Sequence, residues 1–519
     1  MATSAIRGQV DGMGVRRPWW ETRAFVAAVI LLSTVPLLYP PVPPLVDLFG
    51  HMARYRVQLD IYNSPWLSRY YGFHWAAVGN LGVDLLVMPL GRLIGLEPAV
   101  KLIVVCIPPM TVAGFLWVAR EVHHRLPPTA LFALPFAYSH PFMFGFVNFA
   151  LSVALAVLAF GLWLHLGAKK KLRLRAALFV PISIIVFFAH TFGWGLLGLL
   201  CFSAEAVRQH DEGRSWWRSG INAAVHASSM ALPLLIMIGW RSEAHGGMTR
   251  GWLDWDFKWK YAKMVLRDRW EWFDLASAGV VALVLVAAVV LRRLTFSRNL
   301  LFTAFVLLLF FFILPRTVFG STYADMRLLP YVIATAVLAI RFKGDTYLPL
   351  ARALAIAGLG FYLVRLGGTT ISLAIAADQQ KQELQALDHI PMGARVAWVI
   401  DEGECGHGWA LPRSSHLGAM VVVRRHGFSN DQWVIEGMNL LDLKYWQAGK
   451  FAADPSQITR QATCRGRGGW KINHALTVLP RQAFDYLWMI DPPPFDPRLV
   501  EGLQPVWRNG SSVLYRLHP

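Results

Sequence analysis

The sequence predicts a polytopic α-helical membrane protein carrying a C-terminal α/β domain outside the membrane. Three observations predict it. Of the 519 residues 55% are hydrophobic and 16% charged, where a soluble chain carries roughly a quarter charged residues. Apolar runs long enough to cross a bilayer, about 20 residues each, recur between residues 24 and 376. From Asp378 onward the chain changes to mixed polar segments with short strand-like runs.

The elements follow in order. Residues 1–23 are polar, with Arg16, Arg17 and Arg23 before the first apolar run and no small-residue cleavage site after it. That run is therefore expected to remain as an anchor with a cytoplasmic N-terminus. Candidate spans are 24–40, 76–96, 99–119, 146–167, 176–190, 192–208, 220–240, 275–291, 299–314, 328–341 and 348–376, about 11 in all. Basic clusters at Lys169–Arg175, Arg208–Arg218, Arg292–Arg298 and Arg341–Lys343 are separated by even numbers of spans, so one orientation places all of them inside. It leaves loops 41–75, 241–274 and 315–327, and everything after 377, on the outer side. The apolar segment 128–144 contains Pro128, Pro135 and Pro141 and is read as a re-entrant or broken half-helix. This reading puts His123-His124-Arg125 outside, against the charge rule. The net charge of +18 fits positive-inside loops and a basic surface beside anionic lipid. No basic soluble domain carries a recognition motif, which excludes nucleic acid as a partner.

Residues 378–519 form the soluble, extracytoplasmic part. Strand-like runs at 395–400, 419–423, 476–479, 486–490 and 512–515, separated by helical and loop segments, predict a small α/β domain with a partly parallel sheet. Val396, Trp398 and Ile400 alternate as one face of a strand. Cys106 and Cys201 lie in apolar spans and read as packing residues. Cys405 and Cys464 lie in the soluble part, where one disulfide and two free thiols are both open.

Candidate chemistry gathers on the outer side. After Pro40-Pro41 and Pro43-Pro44 comes Asp47, then His51, Arg54 and Tyr55 at spacings that share a helix face. An acid beside a bilayer is costly to desolvate and is a site candidate for that reason. Asp47 would take a proton from an acceptor hydroxyl while Arg54 or Arg56 holds a phosphate; the other reading is a set of interfacial helices with solvated charges. Loop 241–274 interleaves Trp252, Trp255, Trp259, Trp270 and Trp272 with Lys258, Lys260, Lys263, Arg267 and Arg269, either an aromatic belt or a dock for lipid phosphates. Asp325 and Arg327 in the third loop, and His190 at a turn between spans, complete the polar face. Asp84 and Asn148 are further candidates. Walker, Rossmann, His-Glu-x-x-His, Cys-x-x-Cys and nucleophile-elbow patterns are absent from the sequence. His123-His124 lacks the nearby carboxylates a metal site needs.

The order of parts resembles the C-type glycosyltransferase superfamily (GT-C): a first span, a long outer loop opening with an acid, many spans, then an outer soluble domain. The likeness covers roughly residues 24–376. It implies an inner-membrane enzyme of bacterial type that transfers a sugar, hexosyl or pentosyl, from a polyprenyl-phosphate donor to a glycan, lipid or protein acceptor on the outer face, with inversion. It further implies Asp47 as base with His51 orienting it, and Arg54, Arg327, Lys258 and Arg267 as cations for the donor phosphate. Tyr55, His190 and Asp325 are additional polar candidates. Relatives often carry paired acids in this loop, whereas Asp47 stands alone, so a metal-independent mechanism fits better, with a divalent metal not indicated but left open. Two rival readings are a transporter or flippase for a lipid-linked glycan, with interrupted helices as its sign, and a non-catalytic scaffold.

Overall fold

The computed structural model describes residues 17–518 apart from 244–247, 319, 402–407, 435–439, 462 and 465–468. Each expected span contains helix. The helices are Arg23–Leu32 with Val35–Leu38, Gly82–Ile94, Leu96–His123, Val147–Ala168, Leu172–Ala189, Thr191–Asp211, Trp216–Ala227 with Leu232–Glu243, Glu271–Val290, Arg298–Ile313, Leu329–Leu338 and Leu348–Glu383. Among the described residues, 5 are long and apolar enough to cross a membrane by length and composition, or 6 if the bent pair Trp216–Met230 and Leu232–Gly239 counts as one. The sequence reading of about 11 rests on shorter helices as well.

Polar contacts sort the loops into two ends. At one end Arg125 pairs with Glu21 at 3.0 Å and donates to Thr346, and the His123 ring meets the Leu338 carbonyl at 2.8 Å. Arg298 pairs with Asp211 there, and ribbon Leu294–Phe296 pairs with Ile340–Phe342. The expected inside clusters thus share one end, and His123-His124-Arg125 joins them, removing the conflict with the charge rule. The other end carries the C-terminal domain.

Two segments exchange the roles the sequence assigned them. The chain leaves the C-terminal domain at His74, whose N–H donates to the Leu440 carbonyl, and returns to it at Glu97, paired with Arg424 at 2.8 Å. Helix Gly82–Ile94 between them has 13 residues, about 20 Å, too short for a hydrocarbon core of about 30 Å. Both its ends lie at the C-terminal-domain end. Segment 128–144 instead runs from one end of the bundle to the other. Thr129 meets the Ile340 carbonyl at the basic end, and the Phe144 carbonyl accepts from Asp47 N at the other. Residues Pro128–Tyr138 form a 3-10 helix of 11 residues, all buried. At about 2.0 Å rise per residue this conformation covers more distance than an α-helix, and burial in protein keeps its backbone away from lipid.

The first outer loop also departs from expectation. Helix Leu48–Asp60 does not lie on a membrane surface. Most of it is buried, packed between helices Gly82–Ile94 and Leu96–His123 and, from the other side, the C-terminal helix Met420–Arg425. Apolar positions at helical spacing look the same whether the face meets lipid or protein.

Helix Leu348–Glu383 runs through the expected boundary at 377 into the C-terminal domain. There the strands order as Trp470–Lys471, Ile458–Arg460, Arg395–Asp401, Tyr486–Ile490, Ser512–Arg516 and Gln504–Asn509, with Phe428–Ser429 also pairing with Arg395–Asp401. The pairs around Arg395–Asp401 are parallel and the last three strands antiparallel. Strand Arg395–Asp401 is buried on both faces, as a parallel strand between covering layers must be. Two expected strands are helical instead. Residues 419–423 enter helix Met420–Arg425, and 476–478 belong to helix Ile472–Val478. The Val421-Val422-Val423 run favours a strand locally, but burial against helix Leu48–Asp60 overrides that preference. Cys464 is disulfide-bonded; Cys405 lies outside the described residues.

Candidate functional site

Asp47 is set from three directions. It caps helix Leu48–Asp60 at its N-terminus, where the helix dipole favours a carboxylate. Its N–H donates to the Phe144 carbonyl at 3.0 Å. Segment 128–144 ends just beyond, at Gly145 with φ +96°, where a Cβ would stand 2.6 Å from Asp47 N; only glycine fits. Upstream, the Pro44 carbonyl accepts from Arg413 of the C-terminal domain at 2.5 Å. The proline pairs therefore present a rigid carbonyl for the domain to grip.

The C-terminal domain lies directly over the next turn. A Cβ on Gly50 would stand 2.6 Å from the Trp433 ring and 3.3 Å from His416 Nδ1. The Trp433 ring centroid is 4.3 Å from that of His416 and 5.1 Å from that of His51, so one indole contacts both imidazoles.

Among the described residues His416 and Arg327 act on Asp47, with His51 and His190 beside them. His416 Nε2 is 3.9 Å from Asp47 Oδ1, and its Nδ1 is 3.6 Å from Asp431 Oδ2: ion-pair distances, beyond hydrogen-bond reach. Burial opposes the charge on His416, but Asp431, Asp454 and Asp47 outweigh it and hold its pKa up at about 9. His51 goes the other way. Burial, with Arg54, His416 and Arg327 nearby, pushes its pKa well below the usual value, so it is a neutral imidazole. Arg327 is 6% exposed. Among the described residues it has no carboxylate within salt-bridge distance; it faces His190 Nε2 at 3.5 Å and the Phe146 ring at 4.3 Å, and its Nε has no partner. Burial lowers its pKa to about 10, with Asp47 acting against that. Burial and Arg327 also push the pKa of His190 well down.

The other candidates lie in internal pairs. Arg54 donates to both oxygens of Asp84 at 3.0 Å, with 7% and 1% of the two side chains exposed. Asn148 donates to the same carboxylate, and Gln58 to the Asp84 carbonyl. Tyr55 is wholly buried one position on. Arg56 donates to Asp60 and to the Val423 carbonyl. Lys258 Nζ makes three hydrogen bonds, to Asp325 at 3.0 Å and to the Phe311 and Leu314 carbonyls, which uses every donor an ammonium has. Arg267 grips the Gly408 and Trp409 carbonyls, and beside it Arg413 pairs with Asp268. These cations fasten the C-terminal domain and the outer loops to the bundle. Of the sequence candidates, Asp47, His51, Arg327 and His190 come together, and Arg54, while paired with Asp84, also reaches His51 Nδ1 with its Nη1 at 3.4 Å. His416, Trp433, Asp431 and Asp454 were not foreseen. They sit in irregular segments without a motif, and no local pattern marks them.

No known protein family matches the chain, and no curated protein does. Among solved structures, the chain is similar to ArnT from Cupriavidus metallidurans in the apo state, at 12% identity over 95% of this chain and 97% of that one, with a TM-score of 0.48. It is similar to the same protein bound to undecaprenyl phosphate at 12% identity over the same shares, with a TM-score of 0.47. Among the described residues no three His, Cys, Asp or Glu side chains gather as a metal site.

Proposed function

We propose that the chain is a membrane glycosyltransferase of GT-C type, transferring a sugar from a polyprenyl-phosphate donor to a hydroxyl-bearing acceptor at the membrane end covered by the C-terminal domain. One observation carries this reading: Arg327 is a buried cation facing Asp47, with no salt-bridging carboxylate among the described residues. A buried unpaired charge is costly, and an anionic ligand repays that cost. Asp47 accepts the proton of the acceptor hydroxyl. The hydroxyl oxygen attacks the anomeric carbon, the bond from that carbon to the phosphate oxygen breaks, and the lipid phosphate leaves with its charge against Arg327. Attack opposite the leaving group inverts the anomeric centre. Neutral His51 and His190 offer hydrogen bonds to sugar or acceptor. The phosphate role assigned by sequence to Arg54, Lys258 and Arg267 falls to Arg327, because those three already hold protein partners. The charge rule, with the basic end toward the cytoplasm, supports a reaction on the outer face of a bacterial inner membrane.

The test is turnover of a panel of polyprenyl-phosphate sugars by purified protein in nanodiscs, read by mass spectrometry. Asp47→Asn is expected to abolish transfer with unfolding temperature retained, and Arg327→Gln to weaken donor binding. Full transfer by Asp47→Asn refutes the assignment.

A further inference from the structure

We infer that His416, contributed by the C-terminal domain, is a positioning residue for Asp47, and that its imidazolium keeps the Asp47 carboxylate ionised and aimed at the acceptor. This rests on the proposed transferase reading and extends it to a domain whose role the sequence left open.

The geometry is specific. His416 is 5% exposed and lies between two carboxylates, Asp47 at 3.9 Å from Nε2 and Asp431 at 3.6 Å from Nδ1. Asp431 is wholly buried; its Oδ1 accepts from Ser429 at 2.6 Å and from Gln432, which leaves Oδ2 toward the imidazole. Trp433 covers the ring from one side. Gly50 removes the side chain that would block this approach. The arrangement matches a carboxylate–histidine pair, in which a buried acid fixes one ring nitrogen and stabilises the imidazolium while the other nitrogen faces the reacting group. Here the other nitrogen faces a second acid, so the ring works by charge. At 3.9 Å it lies beyond hydrogen-bond reach of Asp47 and does not claim that oxygen's lone pairs by a direct bond. An opposite charge this close lowers a carboxyl pKa by about 1–3 units. Among the described residues, the charged and titratable groups facing the ring are Asp47 and His51 from the segment 47–60, and Asp431 and Asp454 from its own domain; Arg327 faces Asp47 from the third loop.

The experiment uses the full chain in nanodiscs, with the donor that supports the best wild-type turnover, and measures kcat and donor KM from pH 4 to 9. His416→Gln removes the charge and is expected to move the acid limb of kcat upward by about 1–3 units, with donor KM within about twofold. His416→Lys keeps the charge and is expected to keep the wild-type limb. If His416→Gln fails to fold, His416→Asn, which also removes the charge, reads the same limb, with the same upward shift expected. An unmoved limb in the folded neutral variant, or loss of activity equally at every pH, overturns this inference while Asp47-dependent turnover preserves the transferase reading. Absence of wild-type turnover with every donor overturns both.

Discussion

Replacing Gly50 with alanine tests the docking of the C-terminal domain on the site helix. By helix propensity alone the change stabilises, since alanine in a helix interior is favoured over glycine by about 0.5–1 kcal/mol. The structure opposes it. The new Cβ would stand 2.6 Å from two carbons of the Trp433 ring, where ordinary contact starts near 3.4 Å, so a rigid indole retreats by about 0.8 Å. Overpacking of this kind costs about 1–3 kcal/mol, giving a net destabilisation of about 0–2.5 kcal/mol. The effect on turnover is larger. Trp433 touches both His51 and His416, and a misplacement near 1 Å in a reacting assembly costs about 100-fold. The assay pairs turnover in nanodiscs with thermal unfolding. Gly279→Ala, in helix Glu271–Val290 with nothing within 4 Å of its Cβ, is the control and keeps its activity. Gly50→Ala at wild-type turnover refutes the view that Trp433 fixes the two histidines.

Three further outcomes follow from buried charge. Arg54→Met leaves Asp84, 1% exposed, without its cation and is expected to cost about 3–5 kcal/mol; adding Asp84→Asn recovers a large part, and detergent unfolding of the two variants checks it. Lys258→Met strands Asp325, 0% exposed, at a similar cost of about 3–5 kcal/mol, read by loss of unfolding temperature before any loss of kcat in the surviving protein. His416 has a folded pKa near 9 against an unfolded value near 6.5. Its contribution is therefore complete below about pH 6.5 and fades as pH rises through 9, a span worth on the order of 3 kcal/mol. Unfolding temperature is expected to fall across that window, and His416→Gln to flatten the fall; an equal fall in the variant refutes the linkage.

The helices were legible because length and apolarity report them directly, and the acid at position 47 because it follows the first apolar run. What each helix meets was not legible. The spacing of Asp47, His51, Arg54 and Tyr55 gives a shared face, yet Arg54 turns to Asp84, 30 positions on. Segments 76–96 and 128–144 are similarly apolar, and only tertiary contacts reveal that the proline-rich one runs between the two ends of the bundle. The Val421-Val422-Val423 run follows its packing partner rather than its propensity. His416 reaches the site through a chain reversal that no local pattern encodes.

The grip of Arg413 on the Pro44 carbonyl joins residues 369 positions apart, and this separation has a consequence for biosynthesis. At translation rates of about 5–20 residues per second, the segment holding Asp47 is finished roughly 20–70 s before its clamp is made. During that interval the face of helix Leu48–Asp60 that Met420–Arg425 later covers has no partner. A nascent chain halted before residue 413 leaves that face uncovered, so incomplete copies expose a surface that complete copies have closed.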